Sequence, residues 1–134
     1  MLYHAATTGP SVKAFRLALA LAIRLSQNNG SHQVAIAVAA KSSLDGVVSD
    51  SIGKNAAKTL RNPNGVIQVY GITLYLMTKL IPSNFENGVI LATHVSTEFL
   101  DTLLMDRRGA DLIYLPWTPQ ELANYLEKHK STAI

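Results

Sequence analysis

Val34-Ala35-Ile36-Ala37-Val38-Ala39-Ala40, followed by Lys41-Ser42-Ser43-Leu44-Asp45-Gly46, decides how this chain folds. The run is apolar on both phases of a two-residue repeat and carries three β-branched side chains, so it suits a strand buried on both faces. A strand of that kind belongs in the middle of a parallel sheet. The polar cluster after it has the composition of a turn leading out of the sheet.

Four further runs repeat the plan. Residues 2–6 lead into Thr7-Thr8-Gly9-Pro10-Ser11, 66–70 into Gly71-Ile72-Thr73, 89–92 into Thr93-His94-Val95-Ser96-Thr97, and 112–115 into Pro116-Trp117-Thr118-Pro119. Helical patterns lie between them. Phe15, Ala18, Leu19, Ala22 and Leu25 recur at helical spacing after a Gly9 or Ser11 cap and stop at Asn28-Asn29-Gly30; residues 49–61 form a second helix ended by Asn62-Pro63-Asn64-Gly65. Leu74 to Leu80 reads as a short helix after a break at Gly71, with a single longer strand through residues 66–81 as the alternative. Phe99, Leu100, Leu103 and Leu104 mark a helix capped by Ser96 or Thr97 and stopping at Arg108-Gly109, and Leu122, Tyr125 and Leu126 mark one opened by Thr118-Pro119-Gln120-Glu121.

Right-handed crossovers would distribute these helices over both sheet faces. The expected fold is a single-domain, three-layer α/β/α protein with a mostly parallel sheet of about five strands, Rossmann-like or flavodoxin-like in the broad sense. A length of 134 residues and a hydrophobic fraction of 48% suit one domain with a core on each side of its sheet.

The absence of cysteine excludes disulfides, thiolate metal sites and cysteine nucleophiles and fits a cytoplasmic location. Lys13 to Ile23 imitates a signal peptide, but Arg24 closes its apolar stretch after seven residues. No membrane span is expected. Residues 1–61 hold seven Lys/Arg against two acids, whereas 62–134 hold five against seven. Lys13, Arg16, Lys54, Lys58 and Arg61 read as a solvated surface, so nucleic acid is not an expected partner.

In a parallel sheet every strand delivers its following loop to the same edge, where open α/β folds bind ligands. Thr7, Thr8, Gly9 and Ser11 are candidate anion-holding residues at the start of the first helix. Ser42, Ser43 and Asp45 offer polar contacts after the second strand, and Trp117, the only tryptophan, offers an apolar wall. His94, just beyond the fourth run, is the candidate acid or base. His4 falls in a strand, and His32 and His129 lie at the ends of elements. No metal-ligand spacing, dinucleotide fingerprint, P-loop or nucleophile elbow is present, which leaves any cofactor unassigned.

The expected function is therefore binding of an anionic or nucleotide-like small molecule at the carboxyl ends of the strands. A small hydrolase using His94 with Asp45 and a serine is the enzymatic alternative. A homodimeric interaction module is the third reading, because Leu74-Tyr75-Leu76-Met77 with Leu80-Ile81 is too apolar for an exposed helix.

Overall fold

The computed structural model describes residues 1–80 and 82–134. In chain order it contains β1 (Leu2–His4), α1 (Val12–Asn28), β2 (Gln33–Val38), a 3₁₀ turn (Lys41–Leu44), α2 (Val47–Ile52), α3 (Lys54–Arg61), β3 (Val66–Val69), β4 (Ile72–Thr78), β5 (Gly88–Thr93), α4 (Thr97–Leu104), β6 (Gly109–Leu115), α5 (Pro119–Lys128) and β7 (Thr132–Ala133). The strands form one sheet in the order β3-β4-β2-β5-β6-β1-β7, parallel except for β3.

Alternation along the strands divides the core in two. Val34, Ile36 and Val38 of β2, Val89 and Leu91 of β5 and Ile113 and Leu115 of β6 face Phe15, Ala18 and Ala22 of α1, Val48 of α2 and Leu60 of α3. Ala35, Ala37, Ile90, Ala92, Leu112 and Tyr114 face the other way, against Phe99, Leu100 and Leu103 of α4 and Tyr125 of α5. The result is the three-layer α/β/α arrangement, with β2 and β5 buried on both faces as the apolar runs require.

Helix starts follow their capping chemistry. Ser11 Oγ accepts from Ala14 N at 3.1 Å, and Ser96 Oγ accepts from Phe99 N at 3.2 Å. Thr118 and Glu121 form a reciprocal capping box, with Pro119 in the first turn of α5. The segment resembling a signal peptide is the body of α1.

Three elements differ from expectation. First, the single helix expected over 49–61 is two, α2 and α3, divided at Gly53, whose φ of 96° cannot continue a helix. Second, α4 ends at Leu104, and Gly109 already belongs to β6, where a Cβ would lie 2.7 Å from Ile90 Cδ1. Third, Leu74 to Leu80 is not a helix. Residues 72–78 form β4, which pairs in parallel with β2 and forms an antiparallel hairpin with β3. Together with β7, this raises the sheet to seven strands.

The hairpin turns through Tyr70 and Gly71, with φ of 50° and 76°, the left-handed pair of a two-residue type I′ turn. Tyrosine is a poor residue for the first of these positions, where asparagine is favoured. Tyr70 is 84% exposed, and its carbonyl accepts a hydrogen bond from Gln27 Nε2. Tyr70→Asn is therefore expected to stabilise the fold by about 0.5–1 kcal/mol, measured as a higher denaturant midpoint with an unchanged m-value.

Pairing within the sheet buries part of the apolar stretch that suggested a homodimer. Leu74 and Met77 are buried within the chain; Leu80 is exposed, and Ile81 lies outside the described residues. Residues 82–87 cross β2 to reach β5 without forming a helix, on the face where β2 carries Gln33, Ala35 and Ala37. Phe85 fills the space those alanines leave. Arg108 Nη1 donates to the Phe85 carbonyl at 3.1 Å, and Gln33 Oε1 accepts from Glu86 N at 3.0 Å. At the far edge, β7 is tied to β1 and α5 by the Ser131 hydroxyl, 2.8 Å from His4 Nδ1 and 3.0 Å from the donating Tyr125 hydroxyl.

Candidate functional site

The adjacent strands β2 and β5 send their following chains to opposite faces. After β2 the 3₁₀ turn and α2 pack on the α1 side, heading for β4; after β5, α4 packs on the other side, heading for β6. Connections that diverge in this way leave a crevice at the carboxyl ends of the two strands. A cleft of about 390 Å³ lies there. Pro10, Ala39, Val47 and Val48 form apolar walls, Ser43, Asp45, Gly46, Thr93 and His94 contribute polar groups, and Trp117 reaches in from the loop after β6.

Thr93 is the residue that gives this cleft its character. It ends β5 in the same phase as Val89 and Leu91, so its side chain lies on the α1 and α2 side. The residue is 4% exposed, and its Oγ1 is buried with no hydrogen-bond partner. A buried hydroxyl left unpaired costs about 1–3 kcal/mol.

His94 follows with φ of 52°, a left-handed conformation that directs the chain away from β5. Its backbone N–H donates to the Leu115 carbonyl at 2.9 Å, and its ring stands edge-on to Trp117 with centroids 4.8 Å apart. Nε2 lies 3.1 Å from the Gly9 carbonyl oxygen. A carbonyl only accepts, so Nε2 carries the proton. Burial lowers the imidazole's pKa below its ordinary value, against opposing contributions from the Gly9 hydrogen bond and the charge of Glu121. The ring is therefore neutral at pH 7, and Nδ1 keeps its lone pair.

Asp45 forms an ion pair with Arg61, which reaches it from the end of α3. Ser43 Oγ accepts from Ala40 N at 3.3 Å and holds the 3₁₀ turn in shape. Gly46, Val47 and Val48 open α2, and no side chain caps this helix.

Of the residues expected at the site, Ser43, Asp45, His94 and Trp117 line one cleft. Gly9 supports it from behind through the carbonyl bonded to His94, while its N–H is engaged by Pro116 O at 3.2 Å. Thr7 and Ser11 instead line a separate depression of about 180 Å³ beside Lys13 and Leu17, and the Ser11 hydroxyl caps α1. Thr8 lines neither, and Ser42 is exposed outside the cleft. The expected loop of four anion-holding residues is thus dispersed.

His94 and Asp45 share the cleft, but no hydrogen bond links them and none joins either to a serine. The ring is held by a backbone carbonyl and the carboxylate by Arg61. Arg61 is paired rather than available to a phosphate backbone. Among the described residues no cluster of three or more His, Asp or Glu could hold a metal ion, and no helix is long and apolar enough to cross a membrane.

Sequence reasoning missed Thr93, Pro10, Ala39 and the wall at residues 46–48. The signal for Thr93 was present, since a hydroxyl occupies the buried phase of an otherwise apolar strand. Fold and cleft together define a three-layer α/β protein with a crevice at its diverging strands. No family model, curated protein or solved structure matches the chain.

Proposed function

We propose that this protein binds a small molecule in the cleft at the carboxyl ends of β2 and β5, where no lysine or arginine among the described residues is placed to hold the anionic ligand that the sequence suggested. The observation that carries this reading is the Thr93 hydroxyl, buried on the cleft without a partner, which a ligand would satisfy. The cleft volume of about 390 Å³ falls at the lower end of the range for small-ligand sites, about 300–1,000 Å³. Its lining has the usual composition of such sites, apolar walls with a few convergent polar groups.

Native mass spectrometry of gently purified protein tests the proposal. A low-mass adduct that is released on denaturation is the expected result. A ligand present at about 100 times its dissociation constant would also stabilise the fold by about 2.7 kcal/mol. Protein that purifies bare, with a melting temperature unmoved by a low-mass extract of the expression host, would overturn it.

A further inference from the structure

We infer, building on the small-molecule reading above, that the cleft recognises an uncharged heteroaromatic ring with a hydrogen-bond donor beside an acceptor, the edge of an adenine or cytosine base, and does not hold a phosphate. Two polar groups on the cleft, of two kinds, have hydrogen-bonding capacity unused within the chain. His94 Nδ1 is an acceptor, because Nε2–H is engaged by the Gly9 carbonyl. The Thr93 hydroxyl, which has no partner of its own and can accept or donate, is the group that can donate to a ligand placed against Nδ1. A ligand that satisfies both kinds must itself present a donor and an acceptor together.

Charge argues against phosphate. Among the described residues no lysine or arginine lines the cleft, and its one carboxylate, Asp45, has its cation, Arg61, already paired to it. A phosphate dianion would meet a carboxylate and no free positive charge. The first loop contributes only Pro10 to the lining, which has no N–H. The two-turn α2 has too little dipole to compensate. Pro10, Val47, Val48 and the Trp117 ring instead offer apolar surface to a flat body.

Titration of the unmodified protein through its single tryptophan tests the inference. Adenosine and cytidine are expected to change Trp117 fluorescence saturably. N6,N6-dimethyladenosine, which lacks the donor, should bind about tenfold more weakly than adenosine. Inorganic phosphate should neither bind nor compete, and AMP should bind no more tightly than adenosine. Affinity should also fall as acid protonates Nδ1 and removes the acceptor, a loss that burial of the ring moves below the ordinary imidazole range. The charged groups around that ring are Glu121 of α5 and, across the cleft, the Asp45–Arg61 pair. Competition by phosphate, or much tighter binding of AMP, would overturn the inference and leave small-molecule binding standing. Silence from both nucleosides would overturn it as well, with small-molecule binding then decided by the copurified mass.

Discussion

Thr93→Val is expected to make the free protein more stable and its ligand complex weaker. Valine preserves the branched shape and suits a strand as well as threonine does, so packing and backbone propensity change little. What changes is the hydroxyl. In most cores that exchange is costly because the threonine hydroxyl has a partner; here Oγ1 is buried with none, and its removal relieves a desolvation penalty of about 1–3 kcal/mol. The expected gain in melting temperature is roughly 4 °C per kcal/mol for a domain of this size. Affinity for the cleft ligand should fall by about tenfold, the loss of one hydrogen bond. Opposite signs in the two measurements are diagnostic, since a hydroxyl serving only the fold would lower stability on removal. A lower denaturant midpoint for the variant would show that Thr93 is already satisfied in the free protein.

The fold was legible where burial imposes a pattern. β2 and β5 read clearly because strands covered on both faces are apolar on both phases, and β1 and β6 because capped helices follow them. β4 is covered less completely, with Thr73, Tyr75 and Leu76 half-buried; Gly71 before it resembled a break, and a short, mostly apolar run fits a helix as readily as a strand. Asparagine at position 70 would have announced the hairpin; tyrosine concealed it. The two residues of β7 had no local signal at all, since their position depends on pairing with β1 and on the Ser131 hydroxyl, which accepts from Tyr125 and meets His4.

The candidate site divides along a similar line. Loops after β2, β5 and β6 converge because a parallel sheet sends them to one edge, so Ser43, Asp45, His94 and Trp117 could be grouped from topology alone. The loop after β1 reaches the same edge, yet neighbouring residues point to different depressions, Pro10 to the cleft and Ser11 to the other side of the first turn of α1. That division follows from the Gly9 N–H bond to Pro116 O and the cap made by Ser11, contacts that sequence spacing does not encode.

Phe85→Ala is expected to cost about 3–5 kcal/mol, the largest loss for any substitution considered. Phe85 is 2% exposed and packs over the alanine face of β2, where a smaller side chain would leave a cavity. Its ring also meets Tyr75 edge-on at 5.9 Å and lies beneath the Arg108 guanidinium at 5.8 Å. Such a loss is a large part of the roughly 5–15 kcal/mol that holds a domain folded. The consequence reaches the cleft through topology. Residues 82–87 carry the chain from β4 across β2 to β5, and that crossing makes β2 and β5 neighbours whose following chains diverge. Loosening it should weaken the strand pair that bears Ala39 and Thr93. Phe85→Ala should therefore lower both the denaturant midpoint and ligand affinity, whereas Phe85→Leu, which retains most of the volume, should cost less than about 1.5 kcal/mol. A loss below about 1 kcal/mol for the alanine variant would mean that the crossing is held by the Arg108 and Gln33 hydrogen bonds and not by the ring that fills the space above Ala35 and Ala37.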